Sequence, residues 1–106
     1  MYGLSEKTIK AIQGVFAKYP QIDRAVLYGS RAKGNYRNGS DIDLVLVGAA
    51  LDLSLIFKIE IELDDLMLPY RIDLAAYHQI DNRELVEHID RVGVVFYENS
   101  IGHDRA

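Results

Sequence analysis

Residues 25–47, AVLYGSRAKGNYRNGSDIDLVLV, decide the fold. They hold two apolar stretches separated by a polar tract. The first belongs to residues 22–28, which are rich in side chains that suit a pleated surface and stop at Gly29-Ser30, so a first strand is expected there. Residues 31–40 are polar, with Gly34, Asn38 and Gly39 as turn formers, and read as a loop with room for one short helical turn. Residues 41–47 first alternate and then become wholly apolar at Leu44-Val45-Leu46-Val47, the pattern of a second strand buried at its C-terminal half and ended by Gly48.

Outward from this stretch the punctuation is equally regular. Ser5 precedes a helical pattern that buries Ile9, Ile12, Val15 and Phe16, with Leu4 and Ile9 placed as a hydrophobic staple and Pro20 closing the segment. Residues 51–68 contain no Gly or Pro. They set Leu55, Ile56, Ile59, Leu63, Leu66 and Met67 at helical spacing, with Glu60, Glu62, Asp64 and Asp65 mostly opposite, which predicts the longest helix. Pro69 ends it, and residues 70–77 read as a third strand carrying a single carboxylate, Asp73. Asp81 with Glu84 forms a capping box, Ile80 and Leu85 a second staple, and Gly93 falls where a helix C′ residue belongs. Residues 94–97 are expected to form a fourth strand and residues 99–106 a frayed, flexible tail. The order α, β, loop, β, α, β, α, β defines one small mixed α/β (α+β) domain over residues 1–98. A sheet of about four strands is expected, with helices packed against it.

Composition agrees. A chain of 106 residues supports one core but not two, and 49% hydrophobic with 26% charged residues is the balance of a globular protein. No apolar run approaches the roughly 20 residues of a membrane span, and the N-terminus lacks the pattern of a secretory signal, so a cytoplasmic location is expected. The absence of cysteine excludes disulfides, a thiolate nucleophile and Cys-based metal sites. A net charge of −4 argues against a general nucleic-acid binder. Its distribution says more: Arg24, Arg31, Lys33 and Arg37 stand in a tract free of acidic residues, and carboxylates return abruptly at Asp41 and Asp43. Such a segment is either a solvated basic loop or a place where phosphate and metal bind together.

Asp41 and Asp43 lie two apart on an expected strand and so share a face, with Cα atoms roughly 6 to 7 Å apart. Like charges that close call for a counter-ion, and Mg²⁺ suits them because it accepts one or two carboxylates and leaves its other positions to water and phosphate oxygens. If the strand bearing Asp73 is a neighbour, its carboxylate closes the same site, as a further metal ligand or a proton acceptor; otherwise it pairs with Arg71 or a backbone N–H. Gly29 lets the backbone approach a ligand, and Ser30 adds a hydroxyl beside N–H groups able to cradle phosphate. Two better-known phosphate loops are absent: Asn35-Tyr36 stands where a P-loop requires Lys-Ser/Thr, and no Gly-x-Gly-x-x-Gly occurs. His78, His88 and His103 show no metal-ligand spacing and read as surface or satisfied residues. The seven tyrosines read as packing residues.

The string Gly29-Ser30, ten residues, Asp41-Ile42-Asp43 resembles the signature of the polymerase-beta-like nucleotidyltransferase superfamily, with Asp73 in the place of its third carboxylate. Gly29-Ser30-Arg31-Ala32-Lys33-Gly34 and Ser40-Asp41-Ile42-Asp43-Leu44 are most similar to the minimal nucleotidyltransferases, which include MntA-type antitoxins paired with HEPN-domain toxins. The resemblance spans almost the whole chain. It implies transfer of a nucleoside monophosphate, usually from ATP, to a hydroxyl, with two Mg²⁺ ions held by Asp41, Asp43 and Asp73. Gly29 and Ser30 then position the terminal phosphates, while Arg31 and Lys33 offset their charge. Larger relatives use an additional domain to hold the base and the acceptor, so a partner protein is expected to supply both, and a homo- or hetero-oligomer is compatible with that. The leading expectation is AMP transfer to a tyrosine of a HEPN-type toxin. The alternatives are a binding module that silences its partner by occlusion, or an enzyme that nucleotidylates a small molecule such as an antibiotic.

Overall fold

Ser5 opens the first helix in the computed structural model, whose described residues are 1–99. Its side chain accepts the Thr8 N–H at 3.1 Å, satisfying one of the orphan donors of α1 (Glu6–Phe16). The helix buries Ile12, Val15 and Phe16, while Ile9 packs half-buried against the same core. It ends at Ala17, ahead of Pro20, because Lys18 and Tyr19 bond back only three residues, to Val15 and Phe16. Then follow β1 (Arg24–Tyr28), a short helix α2 (Gly29–Lys33), β2 (Ile42–Val47), α3 (Leu53–Asp64), β3 (Ile72–Ala76), a 3₁₀ turn (Tyr77–Gln79), α4 (Arg83–Val92) and β4 (Val94–Glu98). The expected tail lies, from residue 100 onward, outside the described residues.

The four strands form one sheet in the order β3-β2-β1-β4. β1 is antiparallel to both β2 and β4, whereas β2 and β3 are parallel and are joined through α3. Alternation along the strands divides the sheet into two faces. On one, Ala25, Leu27, Ile42, Leu44, Leu46, Leu74 and Phe96 pack with Ile12 and Phe16 of α1 and with Ile56, Ile59 and Leu63 of α3. On the other, Tyr28 and Val45 meet Ile89 of α4, flanked by Val26, Tyr77, Leu85 and Val92. Residues 43 and 73 belong to this second, more thinly covered face by the same two-residue period.

Four details differ from the sequence reading. The long helix runs only over Leu53–Asp64, capped by Asp52, whose carboxylate accepts the Leu55 N–H at 2.8 Å. It unwinds where Leu66 and Met67 bond back three residues, and Met67 then takes φ +56° and is 85% exposed rather than buried. At α4 the cap is Asn82, not Asp81: Asn82 Oδ1 accepts the Leu85 N–H at 3.2 Å, so the Asp81–Glu84 box does not form. Gly93 does follow that helix, but with φ −64° rather than a left-handed conformation. Its lack of a side chain serves close packing, since a Cβ there would run into the Ile89 carbonyl and approach Val26 Cγ1 to 2.6 Å. Finally, the helical turn allowed for in the loop is α2 itself, which begins directly at Gly29. Among the described residues no helix is long and apolar enough to cross a membrane.

Candidate active site

The end of β1 and the start of α2 form a sharp corner. Tyr28 is fully extended at φ −136°, ψ −170°, and Gly29 then turns at φ +74°, a region costly for any residue with a side chain. The corner is also crowded: a Cβ on Gly29 would collide with Asp43 Oδ2. Glycine is what allows the Asp43 carboxylate to lie against this backbone. The exit of α2 is held by Gly34 in the left-handed conformation at φ +87°, with the Gly34 and Asn35 N–H groups both donating to the Ser30 carbonyl, at 2.9 and 3.2 Å.

Asp43 is the hub. On one side it pairs in register with Tyr28 of antiparallel β1, and on the other with Asp73 of parallel β3. The condition attached to Asp73 is therefore met: its strand neighbours β2, and the two carboxylates occupy matching positions on adjacent strands. Burial pushes the Asp43 carboxyl above its ordinary range, and the negative charges of Asp73 and Asp41 push it further, with His88 pulling the other way. Burial raises the Tyr28 hydroxyl to about 12, reinforced by Asp43 and Asp73. Asp41 stands one residue before β2, exposed. Among the described residues no three acidic, histidine or cysteine side chains already stand as a metal-holding group. The donor set nevertheless suits Mg²⁺: carboxylate oxygens from adjoining positions, one of them destabilised by its like-charged neighbours, a cost that a divalent cation would relieve.

Arg31 and Lys33 part company. Lys33 is exposed on the last turn of α2. Arg31, expected beside it as a phosphate helper, is only 2% exposed and donates to backbone carbonyls: Nε and Nη2 to Ser40 at 3.1 and 2.8 Å, Nη1 to Tyr2 at 2.8 Å. Tyr28, expected only as a packing residue, and His88, expected as a surface or satisfied one, meet ring to ring edge-on at 6.2 Å and both act electrostatically with Asp43. A signal for His88 was available. It follows Leu85 by three residues and precedes Val92 by four, on the apolar face of α4 rather than the solvated one.

Asp43 on β2 with Asp41 just ahead of it, Asp73 in register on β3, and a glycine-serine corner pressed against Asp43 form one acidic face at the candidate site. The chain belongs to the family described as Polymerase beta, Nucleotidyltransferase, whose model matches residues 10–101. No curated protein sequence matches it. Among solved structures it is similar to a toxin-antitoxin complex with AMP-PNP at a TM-score of 0.69 and 20% identity, with 95% of this chain and 79% of the other covered. It is similar also to the MntA-HepT toxin-antitoxin (TM-score 0.67, 16% identity, 94% and 78% covered). A third is a tri-AMPylated Shewanella oneidensis HEPN toxin in complex with MNT antitoxin (TM-score 0.67, 16% identity, 95% and 78% covered). At these identities the likeness is one of fold.

Proposed function

We propose that this chain is a Mg²⁺-dependent antitoxin nucleotidyltransferase that transfers AMP from ATP to a tyrosine hydroxyl of a HEPN-type toxin. The observation that carries the reading is the register pairing of Asp43 with Asp73, with Gly29 leaving room for the Asp43 carboxylate at the corner. Asp41, Asp43 and Asp73 would hold Mg²⁺, which when bound neutralises charge on the triphosphate and the departing pyrophosphate. The chain's own groups do the remaining work. The Gly29-Ser30 corner offers backbone N–H groups and a hydroxyl to the terminal phosphates. Lys33 offsets their charge from the exposed end of α2. Asp73, exposed at the mouth of the site, takes the proton from the attacking hydroxyl. The bond from that oxygen to the α-phosphorus forms as the bond to pyrophosphate breaks. The choice of acceptor is supported by the similar structures, which are toxin-antitoxin complexes, one of them with an AMPylated HEPN toxin.

The test is direct. Incubated with Mg²⁺, α-labelled ATP and a HEPN-type partner, the wild-type chain labels the partner and Asp43→Asn does not. Absence of label with the wild type, or equal label with the variant, overturns the reading.

A further inference from the structure

Among the described residues Arg31 is the one buried charged side chain, and it lies directly after the glycine-serine corner. A guanidinium is removed from water only where its donors are engaged. Here the fork formed by Nε and Nη2 closes on a single acceptor, the carbonyl of Ser40, the residue immediately before Asp41. Nη1 reaches back to the Tyr2 carbonyl. The plane is flanked by two rings, Tyr36 with its centroid at 5.3 Å and Tyr70 at 4.9 Å. Tyr70 leads into Arg71, whose carbonyl accepts the Ile42 N–H at 2.9 Å and so ties the start of β3 to the start of β2.

Two further features show how closely the surroundings are built on this group. Tyr2 has φ +56° and Gly3 φ +73°, and a Cβ on Gly3 would come within 2.8 Å of Tyr36 Cζ and 3.0 Å of Arg31 Nη1. A tyrosine in the left-handed region persists only where its neighbours hold it there. The N-terminal turn, the loop before β2 and the approach to β3 thus all converge on one side chain carried by α2.

We propose that Arg31 is a positioning residue: it fixes the segments that deliver Asp41 and Asp43 at the start of β2 and Asp73 on β3 relative to the glycine-serine corner, and does not contact phosphate. The effect on catalysis rests on the nucleotidyl-transfer reading above; the effect on geometry does not. Lysine keeps the positive charge but lacks the planar fork that grips one carbonyl twice and stacks between rings. A residue acting on phosphate by charge would tolerate Arg31→Lys with a change in KM. A positioning residue would not, because small misplacement of reacting groups costs up to about 100-fold in rate.

In Arg31→Lys, amide exchange at Ile42 is expected to rise at least about tenfold relative to Leu44 and Leu46. In the nucleotidyl-transfer assay kcat should fall at least about tenfold, with KM for ATP within about threefold. Tyr70→Leu, which removes one ring and leaves the guanidinium bonds, should show the same pattern more weakly and serves if the lysine variant fails to fold. Unchanged Ile42 exchange, or a loss of activity confined to KM, overturns the proposal. If the wild-type chain transfers no nucleotide, the functional reading fails, and the exchange measurement alone still decides whether Arg31 orders the two strand entries.

Discussion

Gly29 and Asp43 are packed too closely for a side chain between them: a Cβ on Gly29 would overlap Asp43 Oδ2. The corner and the carboxylate are therefore coupled, and Gly29→Ala perturbs both. An alanine at φ +74° is strained whatever room it finds, at a cost of about 1–3 kcal/mol. Here it also evicts the Asp43 carboxylate. Chemical denaturation should show a loss of that size, and residual transfer activity should fall at least about 100-fold. Full activity in a destabilised Gly29→Ala protein would break the link between the corner and the chemistry.

Asp43→Asn should separate stability from function. Because the carboxyl is held above its ordinary range, its contribution to stability is largest below 3.8 and declines as pH rises through the folded value, so the ionised group weakens the fold at neutral pH. Removing the charge also removes repulsion from Asp73 and Asp41. Without divalent cation, the melting temperature of Asp43→Asn should exceed that of wild type. Adding Mg²⁺ should raise the wild type and leave the variant nearly unmoved, by ligand linkage. A variant less stable than wild type in metal-free buffer would contradict the assigned repulsion.

The other face of the sheet has its own pH signature. The Tyr19 hydroxyl donates to Glu62 at 2.6 Å, and Lys18 donates to the second oxygen at 3.2 Å, linking the turn after α1 to α3. Burial and that hydrogen bond push Tyr19 up to about 12, so its contribution is complete below pH 10 and lost as pH rises toward about 12. Glu62 is held below its ordinary 4.5, first by the Tyr19 hydrogen bond, so its contribution is present above 4.5 and lost as pH falls through the lowered value. Tyr19→Phe should flatten both limbs of a stability–pH curve while leaving nucleotidyl transfer intact. A wild-type curve without the alkaline decline between pH 10 and about 12 would sink this account.

What the sequence made legible follows from what is local. Strand periodicity, the Gly29-Ser30 corner and the spacing to Asp41 and Asp43 depend on neighbouring residues, and the observed elements follow those expected closely except at the ends of α1 and α3. Whether β3 lies beside β2 is a matter of topology that local spacing does not determine, so the neighbour of Asp73 is set by the strand pairing. The burial of Arg31 is hidden for a related reason: a basic residue in a polar tract looks solvated unless the Ser40 carbonyl and the two tyrosine rings beside it are known. At α4, Asp81 and Asn82 are both good caps by residue type, and because the helix begins at Arg83 it is Asn82 whose side chain meets the first-turn N–H. Asn82→Ala should therefore cost about 1 kcal/mol and Asp81→Ala within about 0.5 kcal/mol of nothing, as read by urea denaturation. The reverse ranking would reinstate the box that the sequence suggested.

Catalysis and occlusion make opposite claims about the double variant Asp41→Ala, Asp43→Ala. If the chain neutralises a HEPN-type toxin by covering it, removal of carboxylates that hold only metal leaves protection intact. If AMP transfer does the silencing, the variant still binds its partner but no longer protects. Binding and protection must be measured on the same variant, because removing two neighbouring like charges should not unfold the domain: the Ile42, Leu44 and Leu46 positions that anchor β2 stay fully buried on the opposite face. Co-purification should be retained, while growth rescue and mass-shifted toxin should both be lost. Rescue that survives without any mass shift would replace enzymology with occlusion and leave the acidic face without its catalytic role.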